Sequence, residues 1–149
     1  MLIRLTYASK VTKPITREDL RSILSASWEN NASRNLTGML CHGNDRFLQC
    51  LEGERDAVES LYAVIRGDPR HKDIILLEQI DIPARHFEDW SMGAVDVADD
   101  HVMAVIKGVT GRDIFYPEDL KQDQIIGLID GLKSAIHPQF KIRPDSLQD

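Results

Sequence analysis

The sequence predicts an α+β fold built on one mixed sheet of five strands, and three observations carry that prediction. Short stretches alternate apolar and polar residues with the two-residue period of strands. Segments with the 3.6-residue period of amphipathic helices fall between them. Gly, Asn, Asp and Pro clusters mark the junctions. A length of 149 residues suits a single domain rather than two independent cores.

The first strand runs from about Leu2 to Ser9, with Ile3, Leu5 and Tyr7 on one face. Thr16 then reads as an N-cap, with Glu18 and Asp19 in the first turn of a helix reaching about Asn31. On that helix Leu20, Leu24, Ser27 and Asn31 fall along one line, so the core-facing stripe begins apolar and ends polar. Leu36 to His42 and Arg46 to Gly53 form a hairpin around Gly43-Asn44-Asp45. Centring the turn there sets Phe47, Gln49 and Leu51 opposite His42, Leu40 and Gly38.

A second helix, about Glu54 to Gly67, carries Val58, Leu61 and Ile65 on its apolar line and is stopped by Asp68-Pro69. Ile74 to Ile80 is nearly continuous in apolar residues, the pattern of a strand covered on both faces. A loop from Pro83 to Asp89 leads into a fifth strand, Trp90 to Val97, with Trp90, Met92 and Ala94 on one side. The resulting order, β-α-β-β-α-β-β, is a ferredoxin-like arrangement with an added strand and two helices on one face.

The other face needs a cover. Val102, Val105, Ile106 and Val109 mark a short helix ending near Gly111, and Ile125, Leu128, Ile129, Leu132 and Ile136 mark a longer one. The expected organisation is a unit over residues 1–97, a helical extension over 98–140 packed as a cap on the sheet, and a flexible tail over 141–149.

Composition narrows the function classes. With 42% hydrophobic and 28% charged residues, the chain is far from a disordered composition. The net charge is −6 and the basic residues are scattered, against the basic stripe of a nucleic-acid module. No apolar run approaches the roughly 20 residues of a bilayer span, and the N-terminus reads directly as a strand rather than a signal peptide. A cytoplasmic location without membrane contact is expected. Cys41 and Cys50 read as reduced, packed thiols, and the five histidines lack metal-ligand spacing, so no metal is expected.

Three polar residues stand where core residues belong. Tyr7 completes the row Ile3-Leu5, Gln49 interrupts Phe47-Leu51, and Asn31 ends the stripe of the first helix. Each alone reads as a satisfied core polar group; jointly they suggest the lining of a polar-edged pocket. Asn30-Asn31 also reads as a helix C-terminal turn. Arg70 and His71, at the C-terminal end of the second helix, suit either the helix dipole or recognition of a carbonyl or phosphate edge. Trp90 and Met92 alone read as core. Nucleophile elbows, phosphate loops, dinucleotide fingerprints and paired acid–base carboxylates are absent from the sequence.

Tyr7-Ala8-Ser9, Asn30-Asn31, Leu36-Thr37-Gly38, Phe47-Leu48-Gln49, Leu51-Glu52-Gly53, Asp68-Pro69-Arg70-His71 and Trp90-Ser91-Met92 occur in that order. Over residues 1–97 this set resembles the BLUF family of blue-light sensors using flavin, in its short single-domain form. The tail after Ala98 resembles the helical cap of such proteins. The resemblance implies a non-covalently held flavin, FAD or FMN, between the two helices and over the sheet. It implies that Asn31 pairs with the polar edge of the ring and that Asn30 and Arg70 meet a ring carbonyl. His71 would lie nearby, and Ser27 would help close the polar side.

The resemblance further implies that Tyr7 is the light-driven electron and proton donor and Gln49 the switch between Tyr7 and the flavin. Trp90 and Met92 would relay the change into the fifth strand and the C-terminal helices. No net reaction results, so a sensor and not an enzyme is expected. Its output would pass to a downstream regulator protein, with self-association. The alternatives are a flavin-dependent oxidoreductase, an acylphosphatase-like hydrolase or a ferredoxin-like RNA-binding module. The first lacks a nicotinamide site, the second its glycine-rich phosphate loop, and the third its aromatic platform and positive charge.

One expectation joins the helix stripe to the resemblance. Asn31→Ala should weaken flavin retention about tenfold to a hundredfold, because a buried amide contact is lost, whereas Asn35→Ala should not. Flavin occupancy of the two purified variants checks this, and equal occupancy would count against the placement of Asn31.

Overall fold

The computed structural model describes residues 1–23, 34–87 and 93–135. Five strands form one sheet: β1 (Leu2–Val11), β2 (Thr37–Gly43), β3 (Arg46–Glu54), β4 (His71–Asp81) and β5 (Gly93–Asp96). Their order across the sheet is β4-β1-β3-β2-β5. The β1–β3, β1–β4 and β2–β3 pairs are antiparallel and β2–β5 is parallel, which makes the sheet mixed as expected. The described helices are α1 (17–23), α2 (Arg55–Arg66), α3 (Asp100–Thr110) and α4 (Gln122–Lys133), with a 3-10 turn at Pro117–Asp119. The expected ends of the first helix at Asn31 and of the last at Ile136, the expected start of the fifth strand at Trp90, and the expected tail 141–149 lie outside the described residues.

The hairpin forms where its turn chemistry demands. Gly43, Asn44 and Asp45 all adopt positive φ (149°, 49° and 58°), and the register pairs His42 with Phe47, Leu40 with Gln49 and Gly38 with Leu51. A Cβ at Gly38 would lie 2.0 Å from the Cys50 carbonyl oxygen, so the close approach of β2 to β3 requires glycine there. Thr16 and Asp19 cap α1 reciprocally, the Asp19 carboxylate accepting from Thr16 N–H at 3.0 Å and the Thr16 hydroxyl from Asp19 N–H at 3.1 Å. Asp99 caps α3 by accepting from His101 and Val102 N–H groups, and Gly111 closes it in the left-handed region.

Strand alternation divides the core in two. On one face Ile3, Leu5, Tyr7, Leu40, Phe47, Leu51 and Ala94 pack with Val58 and Leu61 of α2 and, at partial burial, with Leu20 and Ile23 of α1. On the other, Met39, Cys41, Leu48, Cys50 and Val95 pack with α3 and α4 through Val102, Ile106, Ile125, Leu128, Ile129 and Leu132. Phe87 and Phe115 fill that second core completely buried. Both cysteines are free and lie diagonally on β2 and β3 within it.

One element departs from the sequence expectation. The apolar run Ile74 to Ile80 is not covered on both faces: β4 is an edge strand, and Ile75 and Leu76 are each 45% exposed. Two register shifts against β1, with Asp73 in the left-handed region at φ 52°, bend this edge away from regular pairing. Hydrophobic content alone does not distinguish a central strand from an edge strand whose inner half is anchored.

That inner half carries a buried ion pair. Arg4 Nε meets Glu78 Oε1 at 2.7 Å with the two side chains 6% and 2% exposed, and the Thr6 hydroxyl donates to the same oxygen at 3.1 Å. Glu78→Leu should lower the unfolding free energy by about 3–5 kcal/mol, because it leaves the Arg4 guanidinium buried without its carboxylate. The double change Arg4→Met/Glu78→Leu should recover most of the loss. Chemical denaturation of the three proteins measures both effects.

Candidate functional site

A cavity of about 600 Å³ opens on the α1–α2 face of the sheet. Its floor is formed by β1 and β3, where Tyr7 and Gln49 are direct cross-strand partners. Both side chains are buried, and the Tyr7 hydroxyl donates to Gln49 Oε1. Leu40 and Phe47 complete the floor, Leu61, Val64 and Ile65 of α2 form one wall, and Ile23 of α1 lies opposite. The segment 67–71, connecting α2 to β4, forms the rim.

Burial dominates the electrostatics of Tyr7. Desolvation, reinforced by the neighbouring Tyr62 and Asp68, pushes the phenol far above its usual pKa, so it is neutral and keeps its proton available to Gln49. Tyr62 packs obliquely on it, with ring centroids 5.6 Å apart. His71 stands edge-on to Tyr7 and to Phe47, at 6.1 and 6.4 Å between centroids.

Both His71 ring nitrogens are engaged. Nε2 lies 2.7 Å from the Ile65 carbonyl oxygen, which can only accept, so this nitrogen carries a proton. In the neutral ring Nδ1 then accepts from the Ser9 hydroxyl at 2.8 Å. His71 is thus a braced wall joining β1, β4 and the end of α2.

Arg70 sits on the rim. Its Nε lies 3.0 and 2.9 Å from the two Asp68 carboxylate oxygens, and Nη2 lies 2.5 Å from Oδ2. The forked pair holds Asp68 below the usual carboxylate range and raises Arg70. The Asp68 carboxylate also accepts from the Arg70 backbone N–H at 2.9 Å, which fixes the turn itself.

Of the site residues expected from sequence, the structure brings Tyr7, Gln49, Arg70 and His71 around one cavity. Ser27, Asn30, Asn31, Trp90 and Met92 lie outside the described residues. Sequence analysis missed Ser9, Tyr62 and the pairing role of Asp68. Ser9 continues the Ile3-Leu5-Tyr7 alternation and Tyr62 follows Val58 by one helical turn, so both carried a periodic signal; Asp68 was masked by its simpler role as a helix stop. Among the described residues there is no group of His, Cys, Asp and Glu placed to hold a metal, and no helix long and apolar enough to cross a membrane.

The cavity fits a flat, amphipathic ring system. Its volume is that of small-molecule sites, its walls are aliphatic and aromatic, and its polar side chains are an amide, a phenol, an imidazole and a paired carboxylate and guanidinium at floor and rim. These features define an α+β domain with a small-molecule-sized cavity and a buried Tyr7–Gln49 hydrogen bond at its floor. The family model for "Sensors of blue-light using FAD", BLUF, matches residues 2–93. Photoactivated adenylate cyclase subunit beta of Euglena gracilis is 40% identical over 92 residues, 61% of this chain but 11% of that protein.

Among solved structures, the ground state of BlsA superposes with a TM-score of 0.84 at 28% identity, covering 100% of this chain and 99% of that one. Klebsiella pneumoniae BlrP1, solved with FMN and cyclic diGMP, gives 0.61 at 33% identity over 66% of this chain and 26% of its own. The chain belongs to the BLUF family of flavin-dependent blue-light sensors, whose cofactor is FAD or FMN. It spans about a tenth of the cyclase subunits it matches.

The shift at Tyr7 has a measurable consequence. In an alkaline titration followed by phenolate absorbance, Tyr7 should stay protonated well past the ordinary tyrosine value near 10. The folded protein and Tyr7→Phe should therefore show the same absorbance rise until alkaline unfolding exposes Tyr7. An earlier rise in the unsubstituted protein alone would show Tyr7 to be solvated.

Proposed function

We propose that this chain senses blue light through Tyr7 and Gln49 and reports it through contacts with other proteins rather than by catalysis. The observation that carries this reading is the buried hydrogen bond from the Tyr7 hydroxyl to Gln49 Oε1 at the floor of a flavin-sized cavity. The flavin supplies absorption of blue light and a transient acceptor for an electron and a proton. Tyr7 gives up both, its proton leaving toward the amide that already accepts its hydrogen bond. When electron and proton return, Tyr7 is restored, and Gln49 is left with altered donors and acceptors, by rotation or tautomerisation of its amide. Nothing is consumed.

In the same reading Asn31 meets the polar edge of the ring, Asn30 and Arg70 meet a ring carbonyl, Ser27 helps close the polar side, and His71 holds the wall. Residues 1–97 act as the flavin unit and 98–140 as the output cap, with 141–149 a tail. Trp90 and Met92 relay from Gln49 along the fifth strand. The partner is a regulator protein in the cytoplasm, with self-association of the chain. The relatives' fusion to an adenylate cyclase supports the idea that such a sensor works on a protein neighbour.

Tyr7→Phe and Gln49→Leu should each fold and bind flavin yet lose the reversible red shift that blue light produces in the unsubstituted protein. Phe keeps the ring volume, and Leu suits the Phe47–Leu51 row, at the cost of about 1–3 kcal/mol for a Tyr7 hydroxyl left without its Gln49 acceptor. Because the two residues act as one unit, the double variant should behave like either single one. Light-minus-dark absorbance spectra of the yellow proteins test this. A wild-type shift in either variant would sink the mechanism.

A further inference from the structure

The strand that carries Gln49 also carries Glu52, three residues further on. An odd spacing along a strand places the two side chains on opposite faces, so Gln49 meets the cavity and Glu52 the cap side. Glu52 is 0% exposed. Its Oε1 accepts from the backbone N–H groups of His86 and Phe87, each at 2.8 Å, while Oε2 has no hydrogen-bond partner among the described residues, although Arg4, directly opposite on β1, attracts the carboxylate charge. An acceptor-only, charge-bearing group with an oxygen unmatched is an expensive way to fill a core. Packing alone would favour an aliphatic side chain here.

The segment that Glu52 grips is tied further. Arg85 donates through Nη1 to the Thr37 hydroxyl at 3.1 Å and to the Glu52 carbonyl at 3.0 Å, and through Nη2 to the Asn35 carbonyl at 2.7 Å. These bonds bind the β4–β5 connection to the β2–β3 edge. On its outer side His86 Nε2 donates to Asp130 of α4 at 2.5 Å, and Lys133 of α4 donates to the His86 carbonyl. One residue, His86, thus joins the β3 carboxylate by its amide and the α4 helix by its ring and carbonyl.

We propose that Glu52 is a positioning residue that couples β3 to α4 through His86, so that a change at Gln49 reaches the cap through the sheet itself. This rests on the light-driven rearrangement proposed above, and it adds a route that does not run along the fifth strand. Residues 85–87 are the lever: Glu52 holds one end, and the Asp130 and Lys133 contacts hold the other.

The test uses the full flavin-loaded chain with Glu52→Leu, Glu52→Gln and Asp130→Ala. Two quantities are read for each: the light-minus-dark absorbance spectrum, and backbone amide exchange of residues 85–87 and of α4 in dark and light. In Glu52→Leu the red shift should survive, the His86 and Phe87 amides should exchange about tenfold faster in the dark, and the light response of α4 should vanish. Glu52→Gln keeps an acceptor oxygen and should restore slow exchange and most of the α4 response, a rescue that a merely space-filling role would not need.

Asp130→Ala, an exposed change that spares the core, should keep the amides protected yet lose the α4 response. It decides the matter if Glu52→Leu fails to fold. An α4 response at the wild-type level in Asp130→Ala, or in Glu52→Leu, overturns the coupling. In the unsubstituted protein, a red shift without any light response in α4 overturns it as well. Absence of the red shift in the unsubstituted protein would instead overturn the photoreceptor reading.

Discussion

A primary amide buried under a ligand cavity constrains everything built around it. Gln49 brings two donors and an acceptor into a place that water does not reach, and each left unmatched costs about 1–3 kcal/mol. The Tyr7 hydroxyl satisfies the acceptor only because β1 and β3 are registered with Tyr7 directly opposite Gln49. A slip by one residue would turn Tyr7 to the opposite face and place Thr6 or Ala8 opposite the amide. The β2–β3 turn at Gly43–Asp45 and the close approach at Gly38 fix β3 against β2, and Arg4–Glu78 ties β1 to β4, so both strands of the Tyr7–Gln49 pair are held on their other sides.

The two faces of the sheet divide the work. A face that must admit a ring cannot be filled by its own side chains, and interiors elsewhere are close-packed. Here the cap face supplies that dense packing: Phe87, Phe115, Ile106, Ile125 and Leu128 are all buried against Met39, Cys41, Leu48 and Cys50. β3 contributes to both layers, Phe47 and Leu51 to one and Leu48 and Cys50 to the other. The strand under the cavity is therefore rigidly backed, and a small change in side-chain bonding on one face has a packed, two-sided element to act on.

What could be read in the sequence was what local chemistry determines. The hairpin register followed from three residues that tolerate positive φ, the shared face of Phe47, Gln49 and Leu51 followed from counting outward from that turn, and the face of Tyr7 followed from the Ile3-Leu5-Tyr7 alternation. The place of β4 did not follow, because being central or at an edge depends on the order of strands, which no run of Ile and Leu encodes. Partner identities were hidden for the same reason. Ser9 and His71 meet across 62 positions, and Glu52 meets the amides of His86 and Phe87 across 34 and 35. Asp68 illustrates a different limit: an Asp before Pro has a sufficient local explanation, and that explanation concealed its fork with Arg70.

That fork bears on how the site is organised. Asp68 and Arg70 are two residues apart, and the same carboxylate accepts from Arg70's guanidinium and from its backbone N–H, so the rim cation is set by a self-contained turn. Tyr7 and Gln49 are set by the sheet. In the proposed reading, Arg70 holds the ligand from the α2–β4 connection while the relay beneath responds through β3, so the rim can keep its grip while the floor rearranges. His71 bridges the two supports, through Ser9 on β1 and the Ile65 carbonyl on α2, and both its nitrogens are spent in doing so. A residue so braced resists displacement, which leaves the amide of Gln49, whose oxygen accepts from the Tyr7 hydroxyl, as the floor group that the proposed reading asks to reorient.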